Sequence, residues 1–143
     1  MKKKLITFAL LAGIGVSAMG GTPSLAKSAP THNCGDSDLD LRFKTGNRFD
    51  HTDPRPKLTK SYIYMKTNRI TSGGVKVWAQ SGTNDASGGR SEWIYGPGVT
   101  LIYNLVYEKF NRWYHFETGP DANIYGEKNA PSQVLGDWSP DYC

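Results

Sequence analysis

A histidine and a glutamate two residues apart, His115 and Glu117, are the pair in this sequence of 143 residues best suited to acid–base chemistry. On an extended strand they would share one face beside Trp113. With a guanidinium nearby, such a pair could cleave RNA by general acid–base transfer, as secreted ribonucleases of this size do. Arg90 and Arg112 are the candidate cations, although Arg112 falls on the other face of the same strand. Alternate polar residues are also ordinary on a solvated sheet face. The reading preferred from the sequence is therefore non-enzymatic, with a small nuclease-like hydrolase built on His115 and Glu117 as the alternative. The nucleophile elbow, the phosphate loop, the dinucleotide fingerprint and the zinc-protease helix are absent from the sequence, and no cofactor is expected. Asp36, Asp38 and Asp40 start a calcium-loop spacing, but Leu41 and Asn47 stand where that loop needs Gly and Glu. The three carboxylates read instead as a solvated lead-in to a strand.

The two cysteines, Cys34 and Cys143, bound the rest of the chain. In an oxidising compartment an even count reads as a disulfide; an intermolecular bridge, free thiols or a metal site are the alternatives. Closing a loop of about a hundred residues would contribute ~4–5 kcal/mol in the chain-entropy model. The start of the chain points to such a compartment. Lys2, Lys3 and Lys4 precede an uncharged apolar run over 5–19, and Ser24-Leu25-Ala26 offers small residues for a signal peptidase. The expectation is a signal peptide over 1–26, with an earlier alternative cut after Ala18, and one secreted, extracellular domain over 27–143. The run is shorter than the ~20 residues a spanning helix needs, and no cysteine follows it to carry a lipid. Without that segment the charge falls from +4 to fourteen basic against thirteen acidic residues, or +1. A nucleic-acid partner is accordingly not expected.

What remains is rich in Gly and lacks a convincing helical period. The fold class expected is all-β, a small antiparallel sandwich or barrel of six to seven short strands with its ends tied by one disulfide. The stretch 61–80 reads as its central hairpin. Two runs of β-branched and aromatic residues flank a polar turn that ends in Gly73-Gly74, with Val75, Val77 and Ala79 facing one way and Lys76, Trp78 and Gln80 the other. Strands are also expected over 39–44, 99–108, 112–118, 122–125 and 134–138, with a restricted loop over 47–57. In the strand over 99–108, Val99, Leu101, Tyr103, Leu105 and Tyr107 are the expected core face.

The long polar connection over 81–98 carries Trp93 and Tyr95, which share a face if extended. They either cover the core from an edge strand or are offered to a partner or a bilayer surface. Four Trp and eight Tyr exceed what one small core needs, so some should be exposed. The layout as a whole resembles the small secreted β-proteins of Gram-positive bacteria grouped with the lactococcin 972-type bacteriocins. The resemblance lies in the signal segment, the two runs around Gly73-Gly74, the aromatic strands over 99–116 and the late Gly136-Asp137-Trp138-Ser139-Pro140-Asp141. It implies a β-sandwich with an antibacterial or bacteriocin-system role and no catalytic residues. Cys34 and Cys143 depart from the bacteriocin itself. The function expected is a bacteriocin-like toxin or accessory acting on a bacterial membrane, cell wall or surface protein, with Trp93 and Tyr95 as contact residues. A carbohydrate- or protein-binding module is the other reading.

Overall fold

The computed structural model describes residues 32–111 and 119–143. The strand expected over 112–118, with His115, Glu117 and Trp113, lies outside them. The described chain is all-β apart from one short helix, and its strands pair antiparallel throughout. They are β1 (Ser37–Phe43), β2 (Phe49–His51), β3 (Arg55–Pro56), β4 (Ile63–Ile70), β5 (Val75–Ser81), β6 (Asn84–Asp85), β7 (Glu92–Ile94), β8 (Gly98–Ile102), β9 (Asp121–Glu127) and β10 (Ser132–Ser139), with α1 (Val106–Phe110) after β8. The described residues alone hold ten strands, more than the six or seven expected, because the loops over 47–57 and 81–98 each contain two short ones.

A four-stranded sheet runs β1-β10-β4-β8. A six-stranded sheet is built on β5 and β9, with β2 and β3 along the outer edge of β9 and β6 and β7 along that of β5. Their inner faces share one core. Leu39, Leu41, Val134 and Trp138 come from the first sheet, and Val75, Val77 and Ile124 from the second. Alternation is clean along all of β5 and along β1 from Leu39 onward, where every second residue is buried.

The stretch 61–80 is not a hairpin. Its two runs belong to different sheets: β4 pairs with β8 and β10, and β5 with β9, β7 and β6. Residues 71–74 arch across the edge of the sandwich, and both ends bond elsewhere, Thr71 N to Gln133 O and Gly74 N to Ile94 O. Both runs carry a mainly apolar inner row, Ile63 and Met65 in one and Val75, Val77 and Ala79 in the other, and each belongs to its own sheet. The strand expected over 99–108 is also corrected. It stops at Ile102, and its core face is the one that carries Ile102, leaving Val99 exposed. Asn104 ends it. Its side chain donates to Ser61 O at 3.0 Å and accepts from Val106 N at 3.4 Å, offering the backbone local partners in place of a ladder. The helix then occupies Val106–Phe110, taking the last three residues of the expected strand.

The ends of the domain are tied twice. Cys34 and Cys143 form the disulfide, 109 residues apart with Cα atoms at 6.0 Å. Beneath it lies a buried ion pair that the sequence reading did not anticipate: Lys57 Nζ and Asp141 Oδ1 are 3.1 Å apart and their side chains are 0% and 1% exposed. The carboxylate of Asp141 also accepts from Asn33 N, Leu58 N, Thr59 N and the Thr59 hydroxyl. Lys57 donates in addition to Pro140 O at 2.5 Å. Burial pushes the Lys57 amine below its ordinary range, with Asp141 offsetting part of that. Burial alone would raise Asp141, but the Asn33 amide, the Lys57 charge and the Thr59 hydroxyl outweigh it and hold the carboxyl below its usual range.

Candidate functional site

The outer face of the six-stranded sheet gathers aromatic side chains from four strands. Register decides which ones meet. Opposite Lys76 of β5 stand Glu127 of β9 and Trp93 of β7, and opposite Glu127 stands Phe49 of β2. One row across the sheet is therefore Phe49, Glu127, Lys76, Trp93. The next row is His51, Tyr125 and Trp78. Cross-strand neighbours on one face lie close enough for ring contacts, and these side chains make them. His51 stacks on Tyr125 with centroids 4.8 Å apart, Trp78 is 6.1 Å from Tyr125, and Phe49 meets Trp78 edge-on at 6.5 Å. Arg48 lies over the Phe49 ring at 4.7 Å and Lys76 near that of Trp78 at 5.9 Å.

Trp93 and Tyr95 extend this face at its β7 edge. Ile94 between them is buried, as a period of two requires, so both rings point outward. They stack on each other with centroids 6.4 Å apart and planes 18° apart, and are 54% and 72% exposed. The edge strand is therefore present, but its aromatics do not cover the core. Phe49, at the far end of the row, is 43% exposed.

Two shallow depressions lie along this face. The first, about 480 Å³, is bounded by Gly74, Lys76, Trp93, Glu127, Lys128 and Asn129. The second, about 310 Å³, is bounded by Phe49, Lys76, Trp78, Asp85, Arg90 and Glu127. Glu127 is paired with Arg48 at 2.5 Å. Among the described residues neither Lys76 nor Lys128 has a carboxylate partner; Lys128 Nζ donates to Gly73 O. Arg90 lies 4.0 Å over the Tyr103 ring. Asp85 accepts from Ser87, whose hydroxyl and amide hold the Asp85 carboxyl below the usual range. The arrangement offers flat apolar rings, ammonium groups and a few hydrogen-bonding groups, which suits binding without bond-making.

The sequence-predicted residues are thus divided. Trp93 and Tyr95 stand together and exposed, Cys34 and Cys143 are bonded to each other, and His115 and Glu117 lie outside the described residues. Phe49, Tyr125 and Lys128 were not foreseen, because their place on the face depends on which strands flank β5. The acidic Asp38 and Asp40 sit on the exposed face of β1, where Asp40 pairs with Arg42 at 2.6 Å.

Residues 22–142 match a family described as "Protein of unknown function (DUF2712)". The chain belongs to that family. No curated protein and no solved structure matches it. The match covers every element of both sheets as well as the aromatic face, so the face belongs to the family's own domain. The family's description says nothing of the antibacterial role that the lactococcin 972-type resemblance implies.

Proposed function

We propose that this family member is a secreted protein that acts, without catalysis, by binding at bacterial cell surfaces through the aromatic outer face of its six-stranded sheet. One observation carries the reading: Trp93 and Tyr95 are stacked and mostly exposed beside Lys76 and Trp78, instead of being folded into the core. Large aromatic rings left in water on a small domain are unfavourable unless a partner covers them, and Trp and Tyr supply much contact area at low entropic cost. The disulfide and the signal-like start of the chain support an extracellular setting. A bacteriocin-like toxin, or an accessory of such a system, is the form that the family resemblance gives to this role.

Exposing Gram-positive cells to the oxidised protein, with a reduced sample alongside, tests the toxic form of the proposal. Growth inhibition or dye leakage that disappears on reduction supports a folded, disulfide-dependent agent. Binding without inhibition at micromolar concentration moves the role to an accessory or adhesive one. Absence of binding rules out the surface reading.

A further inference from the structure

We infer that the two adjoining depressions of this face take a linear anionic glycan, with an acidic substituent held between Lys76 and Lys128 and sugar rings laid on Trp93 and on the Phe49–Trp78 pair. The inference rests on the surface-binding role proposed above and adds the chemistry of the ligand.

The two depressions lie on either side of the cross-strand pair Lys76 and Glu127, which lines both, so one extended ligand can span them. The first depression carries the exposed ring of Trp93 and the second the half-buried ring of Trp78 with the exposed Phe49 against it, a succession of rings that fits a polymer of sugars better than one small molecule. The apolar faces of pyranose rings pack on such surfaces while their hydroxyls reach the polar rim. Charge then selects among glycans. Lys76, Lys128 and Arg90 line the two depressions against Glu127 and Asp85, and Glu127 is already neutralised by Arg48. The surplus is positive and concentrated where Lys76 and Lys128 flank the first depression.

The backbone keeps that end open. Gly74 has φ +78°, and a Cβ there would lie 3.7 Å from the Tyr95 ring and 4.0 Å from Lys128 Nζ. A Cβ at Gly73 would come within 2.9 Å of the Tyr95 carbonyl oxygen. Two residues without side chains thus separate the aromatic ledge from the Lys128 ammonium. A bilayer is a poorer occupant, because the face carries the carboxylates of Glu127 and Asp85, which a membrane surface would have to desolvate.

Co-sedimentation with purified Gram-positive cell-wall sacculi tests this, before and after hydrofluoric acid removal of phosphodiester-linked polymers, with hyaluronate and dextran as soluble competitors. Binding to native sacculi should fall about ten-fold or more between roughly 50 and 500 mM salt. A loss on extraction assigns a sugar-phosphate polymer; retained binding that hyaluronate but not dextran displaces assigns a uronate. Lys76→Gln should weaken binding about five- to ten-fold and Trp93→Ala by more, both with an unchanged thermal transition. Salt-insensitive binding, equal on native and extracted sacculi and untouched by hyaluronate, overturns the inference while leaving surface binding intact. Binding to whole cells without binding to sacculi also overturns it, in favour of a protein or lipid partner. Failure to bind whole cells defeats the broader role itself.

Discussion

Removing either half of the Lys57–Asp141 pair should expose an asymmetry that the geometry dictates. In Lys57→Met the Asp141 carboxylate keeps the amides of Asn33, Leu58 and Thr59 and the Thr59 hydroxyl, so the buried anion stays solvated by protein. The cost should be about 1.5–3 kcal/mol, the range for a lost hydrogen bond to a charged group. In Asp141→Ala the Lys57 ammonium remains buried with the Pro140 carbonyl as its one close acceptor, Ser61 Oγ being 3.5 Å away. Stranding a buried charge costs about 3–5 kcal/mol, and here the three backbone donors lose their acceptor as well. Urea unfolding of the oxidised protein, followed by the fluorescence of buried Trp138, reads both values. Asp141→Ala should also recover stability as pH rises. The folded-state pKa of Lys57 is lowered by burial, so the folded state sheds its proton first and alkaline conditions relieve the penalty. Equal losses for the two variants, or a loss below about 1 kcal/mol for Asp141→Ala, would refute the reasoning.

Other outcomes follow from the same structure. Stability of the wild type should fall with acid from about pH 5 downward, because the Asp141 carboxyl is held below its unfolded value and its contribution is lost as it protonates; a pH series of urea midpoints checks this. Reducing the disulfide should cost about 4–5 kcal/mol from the length of the loop it closes, measured by comparing oxidised and reduced unfolding curves. Gly136→Ala should destabilise by about 3 kcal/mol or more, since a Cβ at that irregularity of β10 would be driven into the Lys66 carbonyl; thermal unfolding reports it. RNA and peptidoglycan turnover should be absent from the wild type, and turnover that His115→Ala abolishes would reinstate the hydrolase.

Fold class and the terminal disulfide were legible in the sequence because they rest on local signals: short alternating runs, Gly and Pro at joints, and two cysteines in a chain with a signal-like start. The inner row Val75, Val77 and Ala79 was equally legible, and with it the outward direction of Lys76 and Trp78. Pairing was not. A glycine turn between two apolar runs describes an arch as well as a hairpin, and only the bonds of Thr71 and Gly74 to other strands separate them. The error carried into the site, because Phe49, Tyr125 and Glu127 join the aromatic face through β2 and β9. The strand run on past Ile102 failed for a different reason. Its periodicity continues through Leu105 and Tyr107, but Asn104 supplies backbone partners that a count of apolar positions does not weigh. Lys57 and Asp141 could not be paired from the sequence, since neither position carries a pattern and they are 84 residues apart.

The most direct test of the surface-binding account is the association of intact Gram-positive cells with the wild type and with Trp93→Ala/Tyr95→Ala. Both rings are largely solvated, so the double variant should unfold within about 0.5 kcal/mol per site of the wild type. The account predicts a native melting curve with cell binding reduced about ten-fold or more. A folded double variant that binds cells as the wild type does would contradict it.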